Sequence, residues 1–355
     1  MSVKKTIGDD MIKPIIFWEG FPACGLLLKQ VVRQFEKDLL ILATKPAVPF
    51  LNLEELLGHK IIWLDNANDI WNRKEEFGDR NFIVHTGWNH TGWLKYDQYL
   101  KDKNDAKVVV VVDNNFKKNL RQFIGAFYFR LVLKKYFDAA FVPGREGQKL
   151  MKYLGMPENR IYVGNYGAYE EIYKDVKPIE QRSNEFLYVG QLNIRKSVDI
   201  LVQAFNIYRK SGGTWNLRIL GEGPLRDMCK GDGIIFEGFT QPHEVAYKMS
   251  QSKVFLLISR EDHWGTVVCE AAACGMNLIT TKTVGATIDI LRKNINGIVL
   301  DDIKITYLVE AFKYYEKIEG SILINGSKVS RGIAQGYDSF SYYTAFMKMI
   351  YDLRG

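Results

Sequence analysis

"SREDHWGTVVCEAAACG", residues 259–275, is the stretch that decides the fold. It continues the run "KVFLLIS" (253–259), whose β-branched and aromatic residues predict a strand. Gly275 stands where a helix ends, which places the helix start near Gly265. A strand that turns directly into a helix is half of a βαβ unit. The helix N-terminus then opens at the strand's carboxyl end. Its N–H groups and positive dipole end face outward there, an arrangement that suits an anion such as a diphosphate. Glu270 lies in the second turn, on the face of Thr266 and Val267. A carboxylate in that place can accept two hydrogen bonds from a vicinal diol, as a ribose offers. Asp262 precedes the helix and can accept from other hydroxyls. Ala271, Ala272 and Ala273 predict close packing around the helix.

Working outward, the same strand-then-helix rhythm fills the chain. "PIIFWEG" (14–20), "LLILATK" (39–45), "KIIWLDN" (60–66), "NFIVHTG" (81–87), "KVVVVVDNN" (107–115), "AAFVPG" (139–144) and "RIYVGNYG" (160–167) read as strands. A second set follows at "FLYVGQL" (186–192), "WNLRILGEG" (215–223), "GIIFEGF" (233–239), "KVFLLIS" (253–259), "MNLITTK" (276–282) and "NGIVLDD" (296–302). Continuous apolar strands alternating with helices predict parallel sheets covered on both faces. Between the sets, "AYEEIYKDVKPIEQRSNE" (168–185) is charged, contains a Pro and has no clear period. The expected division is a first domain over 1–170, a linker over 171–185, a second domain over 186–335 and a terminal helix over 336–355 that packs back on the first domain. The fold class is α/β, with two doubly wound, Rossmann-like domains facing an inter-domain cleft. Ligands should sit outside the carboxyl ends of the strands.

Composition narrows the function. The 355 residues are 47% hydrophobic and 13% aromatic, enough for real cores and against disorder. The longest aliphatic run, "VVVVV" at 108–112, is far too short to span a bilayer. Cys24, Cys229, Cys269 and Cys274 form no C-x-x-C pair. They read as reduced thiols in a cytoplasmic protein. "MSVKKTIGDD" has no apolar h-region, so no signal peptide is expected, and the sequons at Asn89 and Asn325 then carry no meaning. The net charge of +7 suits a phosphorylated ligand or an anionic membrane surface and is too weak to argue for nucleic acid.

At this point "EDHWGTVVCEAAACGMNLIT" (261–280) resembles the E-x7-E signature of the retaining family-4 glycosyltransferases, which have the GT-B fold. "FLYVGQLNIRKSVDILVQAF" (186–205) is similar to that family's strand, basic loop and helix. "LRILGEGPL" (217–225), "IIFEGF" (234–239) and "GATIDILRKNINGIVL" (285–300) resemble further segments of the donor domain. "YFDAAFVPGREGQKLMKYLGMPENRIYVGNYG" (136–167) looks like the segment that closes the acceptor domain. The resemblance implies a metal-independent hexosyltransferase with a nucleotide-diphosphate sugar as co-substrate and no cofactor. A UDP-sugar is the first choice and GDP-mannose the second, from family frequency. The acceptor would be a glycan or lipid-linked sugar.

Roles follow by position. Glu270 would hold the donor ribose. Asp262 takes the place of the first signature acid, one methylene shorter than the usual Glu. Backbone N–H groups at Trp264, Gly265 and Thr266 would face the sugar hydroxyls and the β-phosphate. In the loop after Gly190, Lys196 would meet the diphosphate. The family's Arg falls on Gln191, which brings no charge, and Arg195 would supply the missing cation. The base would be read by main chain near Gly238 and Phe239. In the first half, "EGFPACG" (19–25) offers a Gly-rich turn, with Gly25 as a diphosphate or sugar contact. His85 is similar in place to a family histidine near the anomeric carbon and is assigned to catalysis with Asp262 and Lys196; His90 is its competitor, and Asp113 could also reach the cleft. Residues 116–137 carry six basic residues, seven aromatics and no acid. That pattern fits a helix lying on an anionic membrane, while the all-round apolar stretch 127–133 fits a buried one. A non-catalytic sugar-nucleotide-binding scaffold and a GT-B sugar-nucleotide epimerase stay open as other readings.

Overall fold

A computed structural model describes residues 11–354. The first ten residues, where a signal segment would fall, lie outside the described residues, as does Gly355. The chain divides into two units. The first ends at Asn165 and takes the chain back from Ser339; the second is Tyr166–Asp338.

The first unit is built on seven strands: β1 (Pro14–Trp18), β2 (Leu40–Thr44), β3 (Ile62–Leu64), β4 (Phe82–Thr86), β5 (Lys107–Val111), β6 (Ala139–Val142) and β7 (Ile161–Val163). They pair in the order β3-β2-β1-β4-β5-β6-β7, every pair parallel. The second unit holds six: β8 (Ser183–Val189), β9 (Asn216–Leu220), β10 (Ile234–Gly238), β11 (Ser252–Leu257), β12 (Asn277–Thr281) and β13 (Gly297–Leu300). Their order is β10-β9-β8-β11-β12-β13, again all parallel. Each sheet therefore reverses its winding once, at β1/β4 and at β8/β11, and such switch points are where doubly wound folds take ligands. The central strands are long β-branched runs because helices cover both faces: Val108, Val109 and Val110 are fully buried, as are Val254, Phe255 and Leu256.

The final helix, Ser339–Arg354, closes one face of the first unit's sheet. Phe346 lies edge-on to Phe82 (6.5 Å) and Phe141 (6.2 Å), and Tyr342 meets Phe141 at 5.3 Å. Phe346 is fully buried, so Phe346→Ala should cost the first unit about 3–5 kcal/mol, read from its urea midpoint.

Residues 171–185, expected to link the domains, belong to the second unit, and β8 begins at Ser183 rather than 186. The segment has no period because it is a strap rather than an element. It buries Tyr173, Ile179 and Arg182. The Arg182 guanidinium donates to the carbonyls of Lys177 (2.8 Å), Ser252 (3.3 Å) and Cys274 (2.7 Å), and burial lowers its pKa to about 10. The strap is thereby tied to the start of β11 and to the end of the signature helix. At the boundary, Ala168 N donates to Tyr337 O (3.0 Å), so the two crossings of the chain run side by side. A Cβ on Gly167 would lie 1.7 Å from that same Tyr337 oxygen, so only glycine allows this approach. All four cysteines are free, three of them buried.

Candidate active site

In the second unit the carboxyl ends of β8, β9 and β10 are joined through glycines. Gly190 N donates to Leu220 O (3.0 Å) and Gly221 N to Gly238 O (2.7 Å). A Cβ on Gly221 would fall 1.8 Å from Gly190 O, so backbone packs on backbone here. The loop after Gly190 is then held by Tyr188, whose hydroxyl donates to Gln191 O (2.8 Å). Asn193 caps the short turn Ile194–Lys196: its side-chain oxygen accepts from Lys196 N (3.0 Å). Gln191 Oε1 accepts from Asn193 Nδ2 (3.1 Å) and, more weakly, from Arg195 (3.4 Å). Arg195 also donates to Glu261 O (3.0 Å), and Arg195 O accepts from Arg260 N (2.8 Å). The basic loop and the signature loop are thus one piece of structure.

The signature stretch forms the helix Thr266–Ala273 behind β11, with Gly265 as its N-cap and Gly275 in the left-handed conformation after it. The preceding loop is pinned to the loop after β12. Asp262 N donates to Thr283 O (3.2 Å), Gly285 N to Asp262 O (3.1 Å) and Ala286 N to Trp264 O (2.8 Å). Trp264 is buried and its indole N–H donates to Tyr166 O (2.5 Å). Gly265 has φ +84°, and a Cβ there would lie 2.9 Å from Val284 Cγ1 and 3.1 Å from Leu257 Cδ2. Gly265→Ala should therefore destabilise the second unit by about 1–2 kcal/mol in thermal or urea unfolding, the ordinary cost of a left-handed L-residue.

Lys196 and Asp262 form an ion pair between the two loops, each side chain 11% exposed. Burial lowers the Lys196 pKa, and the Asp262 charge works against that shift. Ser197, next to Lys196, is fully buried and its hydroxyl has no hydrogen-bond partner. Glu270 is half-buried on the helix. Burial raises its carboxyl to about 7, opposed by a hydrogen bond from Tyr173 on the strap. Its acceptor capacity is thus held near its titration point. Phe239 follows β10 and is half-buried, and the Gly238 carbonyl accepts from both Gly221 N and Thr240 Oγ1 (3.2 Å). An open depression of about 500 Å3 along the helix Pro242–Gln251 includes Phe239 but none of Lys196, Asp262 and Glu270.

Among the sequence-derived residues, Gly190, Gln191, Arg195, Lys196, Asp262, Trp264, Gly265 and Thr266 come together at this one edge. Gly238 is bonded to it through Gly221, and Glu270 follows one turn into the helix. Two residues of the first unit do not behave as expected. Gly25 lies in a short helical turn where its N–H donates to Pro22 O (2.9 Å). A Cβ there would strike the Phe21 ring at 2.3 Å, so the glycine serves packing rather than approach to a ligand. His85, assigned to catalysis, is 1% exposed inside the core. Strand alternation turns its ring under the helix Thr91–Asn104, where it stacks on Trp93 (5.3 Å) and bonds Asp97 at 3.0 Å. Burial raises the Asp97 carboxyl, against the pull of His85. The histidine at the sheet's carboxyl edge is His90, paired with Glu19 at 3.2 Å. Glu19 N in turn donates to Thr86 Oγ1 at the end of β4 (3.1 Å). Trp93 and Asp97, four apart on the next helix, were the available sign that His85 points inward. Tyr173 and Asn193 were not singled out: the first sits in apparent linker, and the second is visible only as a cap.

Residues 170–323 match the family glycosyl transferases group 1. A curated relative, the Vi polysaccharide biosynthesis protein VipC/TviE of Salmonella typhi, is 26% identical over 163 residues. That stretch is 44% of this chain and 26% of the relative, so the chain spans about a quarter of the relative's length. Among solved structures, HepE of Anabaena in complex with UDP and glucose aligns over 96% of this chain and 99% of its own, with a TM-score of 0.76 at 12% identity. A glycosyltransferase from Rickettsia africae aligns over 97% and 98%, with a TM-score of 0.74 at 12% identity. No helix among the described residues is long and apolar enough to cross a membrane. By these matches residues 170–323 are similar to the glycosyl transferases group 1 family, and the chain as a whole has the GT-B fold.

Proposed function

We propose that the protein is a retaining glycosyltransferase. It moves a hexosyl unit from a nucleoside-diphosphate sugar, a UDP-sugar first and GDP-mannose second, to an acceptor hydroxyl in glycan or glycolipid synthesis. The observation that carries this is the juxtaposition at one sheet edge of Lys196, Arg195 and a glycine-capped helix N-terminus, with Glu270 one turn further in. Two cations and first-turn N–H groups suit a departing diphosphate, and in this reading no metal is needed to stabilise it. Glu270 takes the ribose diol. Asp262 leaves Lys196 and accepts from the donor sugar. The acceptor is assigned to the first unit, where His90 and Glu19 stand in for the role first given to His85. No nucleophile is assigned. The similar proteins support the same class, since one is a polysaccharide biosynthesis protein and another holds UDP and glucose.

The test is a thermal-shift panel of UDP, GDP, ADP and their sugar conjugates. A ligand at a hundredfold its Kd adds about 2.7 kcal/mol, a shift of about 5–11 °C for a domain of this size. One diphosphate standing clear of the others, with slow hydrolysis of one of its sugar conjugates, supports the reading and names the donor. No shift with any of them sinks the donor site. Binding without hydrolysis or transfer to any acceptor favours the non-catalytic scaffold.

A further inference from the structure

The loop that carries Lys196 is anchored at both ends and bare in between. At its start Leu192 is fully buried, its N–H donates to Glu222 O (2.9 Å) and its carbonyl accepts from Leu225 N (3.0 Å). At its end Val198 is fully buried and opens the helix Val198–Lys210. The turn Ile194–Lys196 between them buries none of its residues, and Ile194 is 54% exposed. Ser197 closes the turn at φ +55°, a left-handed conformation that is unfavourable for a residue with a side chain. Packing therefore cannot hold this turn, and a strained backbone persists only where its surroundings over-determine it. The Asn193 cap supplies one tie, to Lys196 N.

Arg260, two residues before Asp262, supplies the others. Its N–H donates to Arg195 O (2.8 Å). Its guanidinium donates to Ile194 O, which also accepts from Ser197 N (3.0 Å). The same guanidinium meets Asp199 side-on in the first turn of the helix, with Nη1 and Nη2 each 3.3 Å from one carboxylate oxygen. One planar fork thus ties the carbonyl just before Arg195 and Lys196 to the helix just after them. A lysine, a point charge on a flexible stem, cannot span the same three acceptors. The Asp199 carboxylate balances the Arg260 charge, so what this side chain brings to the site is geometry.

We propose that Arg260 is a positioning residue for the transfer reaction. Acting through Ile194 O and Asp199, it holds Arg195 and Lys196 where the departing diphosphate needs them. This role rests on the transferase reading of the site. Cations stabilise a developing charge most when they are already in place as it forms, and a misplacement of about 1 Å can cost about 10²-fold in rate. The loss of the fork therefore falls on kcat more than on KM.

The experiment compares Arg260→Ala, Asp199→Ala and the double variant in the full chain, with the donor that the ligand panel selects. Each single variant should lower kcat by about 10–100-fold with KM nearly constant, and the double variant should be no worse than either alone. The melting temperature should move little, because Arg260 is 40% exposed and such pairs add little stability. Arg260→Lys keeps the charge without the fork and should recover little of the lost kcat. Were Arg260 instead a third cation on the diphosphate, Asp199→Ala would unmask it and tighten donor binding, and Arg260→Lys would restore activity; either result overturns the proposal. Amide hydrogen exchange in the unliganded chain reads the same tie without turnover. The Lys196 and Ser197 amides should exchange faster in both single variants. Unchanged exchange overturns the proposal even where kcat falls. Faster exchange in variants of a chain that turns over no donor supports the tie and sinks the transferase reading alone.

Discussion

Lys196→Ala lowers kcat/KM by about 10²–10³, the usual loss when one donor to the developing charge is removed. The readout is nucleoside-diphosphate release with the donor that the ligand panel selects. The variant also removes one side of the Lys196–Asp262 ion pair, in which each side chain is 11% exposed. Breaking a buried pair from one side costs about 3–5 kcal/mol, so lost activity alone could reflect lost fold. Asp262→Asn separates the two. It leaves Lys196 without its internal anion, so the free diphosphate binds more tightly while transfer falls, because the donor sugar loses an acceptor. The double variant Lys196→Met with Asp262→Asn recovers the melting temperature and stays inactive. Turnover that survives Lys196→Ala would place the diphosphate elsewhere.

Donor affinity rises with pH up to about 7 and is flat above it. The cause is Glu270, whose carboxyl is raised to about 7 by burial. A diol needs the ionised form as acceptor. Below the raised pKa the free protein must lose a proton to bind, so at pH 6 the affinity is about tenfold lower than at pH 8. The unliganded protein shows the opposite sign. Its folded state keeps the Glu270 proton between the ordinary carboxyl range and about 7, so this group's contribution to stability is present below that window and is lost as pH rises through it. Calorimetric titration across pH 5.5–8.5 reads the first effect and thermal melts read the second. Glu270→Gln removes the pH step from both and weakens donor binding at pH 8. A pH step that persists in Glu270→Gln belongs to another group. Tyr173→Phe removes a hydrogen bond to the carboxylate, so its step moves to higher pH.

The sheets were legible because parallel strands buried on both faces are written as unbroken apolar runs. "KVVVV" and "SKVFLL" could be nothing else at that length. The glycine-bearing loops of the second unit were legible for a related reason. Gly190, Gly221, Gly238 and Gly265 stand at strand ends or helix starts, where close backbone approach or positive φ excludes a side chain. Periodicity and glycine placement are local properties, and they survive in a one-dimensional string.

What the sequence could not decide was every question about which side chain meets which across the fold. The strap looked like linker because burial of Tyr173 and Arg182 depends on partners up to about a hundred residues away, Glu270 and Cys274 among them. The Lys196–Asp262 pair joins two loops 66 residues apart. His85 and His90 are five positions apart and look interchangeable in the string. One packs on Trp93 and Asp97 in the core, and the other reaches Glu19 at the sheet edge. Whether 116–137 is a buried helix or an open face was likewise undecidable, since its apolar residues cover every side until the core claims Ala126, Phe129 and Leu133. The sequence by itself determined the two doubly wound sheets and the strand ends at which a ligand would sit. Only the tertiary structure decided which residues stand there, because burial and ion pairing are set by neighbours distant along the chain.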